Sequence, residues 1–118
     1  MIIKKIYLQP SGIVYKGMLD LMDAQNGKEI FSDYTQRTLY FNVIMFDMVW
    51  VLQFTAMSVE SNRCEVTLGV KPENDALGEE LRSLADSVLR REYAMLDAML
   101  LIGTPLEVTY SEGGDEPI

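Results

Sequence analysis

The 118-residue chain is predicted to fold as one α+β domain: an antiparallel β-sheet packed against one long C-terminal helix, with a short N-terminal helix after the first strand. Three features of the sequence point there. Asn74 to Gly103 carries an apolar stripe at helical spacing, Cys64 to Lys71 alternates apolar and polar residues strictly, and residues 37–59 are dense in β-branched and aromatic side chains.

In chain order, IIKKIYL at residues 2–8 reads as a strand stopped by Pro10. Ser11 is placed to cap a helix running from Ile13 to Gln25, with Val14, Met18, Leu21 and Met22 on one face and Asn26-Gly27 as its stop. Residues 28–36 are open between a strand around Glu29 to Phe31 and a loop. Arg37 to Phe46 reads as a strand apolar on both faces, Asp47 as a turn, and Met48 to Val59 as a long strand with Trp50, Leu52, Phe54 and Ala56 on one side. Glu60 to Arg63 forms a hairpin turn in which Asn62 suits positive φ. The returning strand puts Cys64, Val66, Leu68 and Val70 on the buried face.

The C-terminal helix is the best-specified element. Leu77, Leu81, Leu84, Val88, Met95, Met99 and Ile102 form one row; Ala85, Leu89, Tyr93, Leu96 and Leu100 form its neighbour. Asn74 is the expected N-cap, Gly78 weakens the first turn, and Gly103 with Pro105 stops the helix. Arg90-Arg91-Glu92 breaks into the apolar rows and reads as a solvated charge cluster, with Asp86 and Arg90 able to pair one turn apart. Beyond Gly103, LEVTY at residues 106–110 is a candidate edge strand. Residues 1–110 make the expected domain, and the acidic, glycine-rich tail at 111–118 is expected to be disordered.

Composition excludes several classes. Ten basic against eighteen acidic residues give a net charge of −8, which repels phosphate backbones, so no nucleic acid partner is expected. There is no histidine, hence no triad or dyad that depends on imidazole. Asp20 and Asp23 fall short of a cation site, and no nucleotide or redox-cofactor motif occurs; neither metal nor cofactor is expected. The lone Cys64 cannot form an internal disulfide, and MIIKKIYLQP is too short in apolar residues for a secretory signal, which makes the cytoplasm the expected location. Phe41 to Val59 has the length of a membrane span. An aspartate near its middle costs about 2.5–3.5 kcal/mol on insertion, so strands are expected there instead.

The strand Ile3 to Leu8, the Pro10-Ser11 turn into Val14-Tyr15, the hairpin TAMSVESNRCEVTLGV and the helix Leu77 to Ile102 together resemble the START-like, or helix-grip, superfamily of polyketide-cyclase-like and lipid-transfer proteins. The chain departs from that pattern in having fewer strands and in adding LEVTY after the long helix. The resemblance implies a cavity between the helix and the concave face of the sheet, suited to an apolar small molecule.

Trp50, Leu52 and Phe54 from the long strand, facing Tyr93, Met95 and Met99 from the helix, are the candidate walls of that cavity. Tyr40, Asn42, Asp47 and Gln53 are polar groups in otherwise apolar strands and would orient a ligand if they converged on it. The leading expectation is therefore a ligand-binding domain without catalysis. Its rival is a homodimeric interaction module that covers surplus apolar surface on residues 38–59 or on the helix.

Overall fold

The computed structural model describes residues 1–74 and 78–101. Along them run β1 (Ile2–Tyr7), α1 (Ser11–Ala24), β2 (Lys28–Asp33), β3 (Thr38–Met45), β4 (Met48–Glu60), β5 (Arg63–Pro72) and α2 (Glu79–Met99). The strands form one five-stranded antiparallel sheet in the order β1-β5-β4-β3-β2. Strands β2 to β5 follow as a meander, and β1 joins the far side of β5.

Alternation fixes which face is buried. Ile3 and Tyr7 of β1, Leu39, Phe41 and Val43 of β3, Trp50, Leu52, Phe54 and Ala56 of β4, and Cys64, Val66, Leu68 and Val70 of β5 all turn to the same side. Pairing stacks them in rows, with Leu39 opposite Phe54 opposite Leu68, and Phe41 opposite Leu52 opposite Val70. Val14, Tyr15, Met18, Leu21 and Met22 of α1 and Ala85, Val88, Leu89, Tyr93 and Leu96 of α2 complete this core. The apolar run at 41–59 is thus the β3–β4 hairpin, and no helix of the described residues is long and apolar enough to cross a membrane.

Helix ends depart from expectation in instructive ways. Pro10, not Ser11, occupies the N-cap of α1, and no side chain caps it; Ser11 lies inside the first turn, its Oγ 2.7 Å from Ser58 Oγ. The other end closes as predicted: Asn26 adopts φ 55°, Gly27 N–H donates to Met22 O at 2.8 Å, and Asn26 N–H donates to Asp23 O at 3.1 Å. Those two bonds are the Schellman arrangement, which satisfies carbonyls the helix leaves open. In α2, Gly78 takes the N-cap in place of Asn74, and the helix ends at Met99, with Leu101 at φ 58°. Residues 75–77, the expected stop at Gly103, the LEVTY segment and the acidic tail lie outside the described residues.

The turns are equally specific. Phe46 and Asp47, both at positive φ (53° and 58°), make the two-residue loop between paired Met45 and Met48, a mirror-image turn whose twist suits the hairpin. Asn62 does not adopt the positive φ expected of it. The β4–β5 turn instead follows a register shift between Ser58 and Glu60, which supplies the local bend. Residues 28–33 are a strand, not a loop, with a second irregularity at Ile30.

Candidate functional site

The edge strand β1 places Ile3, Lys5 and Tyr7 on the inner face, beside α2. Lys5 is only 3% exposed, and an ammonium so placed is costly unless paired. Its Nζ lies 2.5 Å from Asp97 Oδ2, while Tyr7 Oη donates to Asp97 Oδ1 at 2.6 Å. The rings of Tyr7 and Tyr93 stand 5.1 and 5.7 Å from the same ammonium, within cation–π range. Tyr93 Oη in turn reaches Ile3 O at 2.5 Å and Val66 O at 3.1 Å, tying the helix to both strands.

Over this network lies a partly open cavity of about 170 Å³, lined by Ile3, Lys5, Arg90, Tyr93, Ala94 and Asp97. Arg90 stands at its rim with Nε held by Asp86 Oδ2 at 2.9 Å, the pairing expected from their spacing. The crevice therefore combines a buried cation, a bound carboxylate, a tyrosine and two small apolar walls. Such a mixture orients a ligand as well as burying it.

A second polar feature is wholly internal. Glu92 has no exposed surface, although the sequence groups it with solvated Arg90 and Arg91. Gln25 Nε2, at the end of α1, donates to Glu92 Oε1 at 2.6 Å, while Oε2 has no hydrogen-bond partner among the described residues. Burial pushes the carboxyl up to about 7, opposed by the Gln25 hydrogen bond and the Arg91 charge. The spacing Ala85, Leu89, Glu92, Leu96 carried the signal, because it places Glu92 in the middle of the buried stripe.

The six residues expected to wall a cavity take three different places. Trp50, Leu52 and Phe54 have no accessible surface at all, so no water-sized space adjoins them; the Trp50 indole N–H is satisfied by Met45 O at 3.0 Å. Tyr93 is 3% exposed and is the only one of the six that lines the crevice. Met95 is partly buried against the core, and Met99 is 37% exposed. The polar strand residues do not converge on the crevice. Tyr40 packs its ring on Phe31 at 5.5 Å, Asn42 donates to Glu73 at 3.1 Å, Gln53 pairs across from Tyr40, and Asp47 lies exposed in its turn. Lys5 and Asp97 were not legible as partners, being 92 residues apart with no local pattern joining them. Among the described residues, no group of three or more Cys, Asp or Glu is placed to hold a metal ion.

No protein-family model matches the chain, and no curated protein matches it in sequence. Solved structures do resemble it in fold. The Zhui aromatase/cyclase from Streptomyces sp. R1128 superposes with a TM-score of 0.56 at 11% identity, over 85% of this chain and 90% of that one. Ara h 8.0201 gives a TM-score of 0.56 at 8% identity, over 86% and 96%. The phosphoprotein parafusin from Paramecium matches at a TM-score of 0.50 and 12% identity, over 92% of this chain but 22% of its own length. The chain has a helix-grip fold, with the C-terminal helix held against an antiparallel sheet.

Proposed function

We propose that this helix-grip domain binds a small molecule between the sheet and its C-terminal helix, at the crevice where β1 meets α2. The observation that carries this reading is the cavity of about 170 Å³ lined in part by Lys5, whose buried ammonium is held by Asp97 and two tyrosine rings. An apolar ligand among Trp50, Leu52 and Phe54 would have to displace side chains that already fill the space, which costs the core its contacts. The crevice needs no such displacement. It offers Ile3, Ala94 and the Tyr93 ring to an apolar body. Binding without catalysis fits best, because the chain has no histidine and Lys5 and Asp97 are engaged with each other.

Amide chemical-shift mapping with a library of neutral and charged fragments tests this. Shifts clustering at Ile3, Lys5, Tyr93, Ala94 and Asp97 are expected; fragments that perturb only other regions, or none, would count against it. A second reading, homodimerisation, is favoured by one observation: Ile30, Phe31 and Tyr34 on and after the edge strand β2, and Ile44 and Phe46 near the next hairpin, are all about half exposed or more. Sedimentation of a single monomeric species at micromolar concentration would sink it.

A further inference from the structure

Resting on that crevice as the binding site, we infer that its ligand is a small free carboxylic acid, taken as the carboxylate. An ammonium has three N–H donors. In Lys5 one meets Asp97 Oδ2, and among the described residues its other neighbours are the Tyr7 and Tyr93 ring faces, which attract the charge but present no lone pair. The buried cation belongs to a residue that lines the cavity and keeps donor capacity beyond its bond to Asp97, and the strongest acceptor for it is an anion.

Among the described residues, Lys5 and Arg90 bring positive charge to the lining and Asp97 negative charge, and Asp86 beside Arg90 balances the set, so the preference for an anion rests on the local donors and not on a charge surplus. Asp97 opposes an incoming anion, yet its two oxygens already receive Lys5 and the Tyr7 hydroxyl. Asp86 offsets Arg90 from outside the crevice and fixes the guanidinium at the rim, where its planar fork matches a carboxylate. The net charge of −8 disfavours anions at long range, but a Debye length of about 8 Å at physiological salt confines that penalty.

Size narrows the class further. A space of about 170 Å³ equals roughly five or six waters at ~30 Å³ each, well under the ~300 Å³ where drug-sized pockets begin. Short-chain and single-ring monocarboxylates fit it, their apolar ends against Ile3, Ala94 and Tyr93.

The probes are butyrate and benzoate, with the near-isosteric butyramide and benzamide as neutral controls, titrated into the full chain by amide shift mapping. The acids are expected to bind about tenfold or more tightly than the amides, the scale of one charge-assisted contact. Arg90→Gln, at an exposed position, should shrink that preference several-fold without unfolding the protein. Lys5→Met should abolish it, and if that variant does not fold, Arg90→Gln decides alone. Acids and amides binding equally at the crevice would overturn the carboxylate inference and leave the site standing. If neither acids, amides nor other fragments shift the crevice residues, both fall.

Discussion

Replacing Glu92 with glutamine should remove a pH dependence of stability that the buried carboxyl imposes. Its ordinary value of 4.5 is raised to about 7 in the folded chain. The direction follows from linkage: a group whose folded value is raised holds its proton more tightly folded than unfolded, so its stabilising contribution is complete below pH 4.5. The contribution is lost as pH climbs toward 7. Each tenfold difference in proton affinity between folded and unfolded chain is worth about 1.4 kcal/mol, so the loss comes to about 3 kcal/mol, a large share of a small domain's stability. Physically, ionising Glu92 puts a charge where, among the described residues, Oε2 has no partner and only Gln25 donates to Oε1.

Urea unfolding of both proteins at pH 5, 6, 7 and 8 measures this directly, read as midpoints at unchanged slope. The Glu92→Gln protein keeps a partner for Gln25 and cannot ionise, so the difference between the two should grow in its favour as pH rises and level off above 7. The Cys64 thiol, pushed up to about 11 by burial, and Tyr15, whose phenol is raised by burial and by Glu29, do not titrate in this window. Parallel midpoint curves for the two proteins from pH 5 to 8 would refute the reasoning.

Three other outcomes are expected. Gly17→Ala would set a methyl 2.8 Å from Leu100 Cδ2 and 3.3 Å from Leu96 Cδ1, an overpacking cost of about 1–3 kcal/mol against about 1 kcal/mol gained in helix propensity, so a modestly lowered urea midpoint is expected. The double change Phe46→Asn and Asp47→Gly relieves two side-chain-bearing residues of left-handed backbone and should raise thermal stability by about 1–2 kcal/mol in calorimetry. Cys64, with no exposed surface and its thiol pushed up to about 11, should react with a disulfide reagent only after denaturant is added; rapid labelling of the folded protein at pH 8 would contradict the packing.

Periodicity made the long elements legible. The strict alternation of Cys64 to Val70 and the Trp50-Leu52-Phe54-Ala56 series identify the inner face, and the helix row through Ala85, Leu89, Tyr93 and Leu96 is buried together with Val88 of the other row. Element ends were less legible, because a cap is set by a few backbone angles. Pro10 serves as an extended N-cap without any side-chain bond, and Gly78 does the same for α2. The site was least legible of all. Trp50 and Phe54 look alike whether they wall a cavity or fill one, since composition does not encode free volume. Lys5 and Asp97 look like ordinary surface charges until β1 and α2 are laid side by side.

Ile3 and Lys5 come from the first strand, and Arg90, Tyr93, Ala94 and Asp97 come from the last helix. Nothing in the β2–β5 meander contributes to that lining, so the crevice comes into being only when the two ends of the described chain meet. Each hairpin of the meander closes a short loop, whereas β1 must find β5 across the whole meander, a pairing with a larger loop-closure cost. The Tyr93 hydroxyl, touching Ile3 O and Val66 O together, bolts this closure. A ligand seated beside it would strengthen the seam between the two ends of the described chain, making occupancy a guard against fraying of the N-terminal strand.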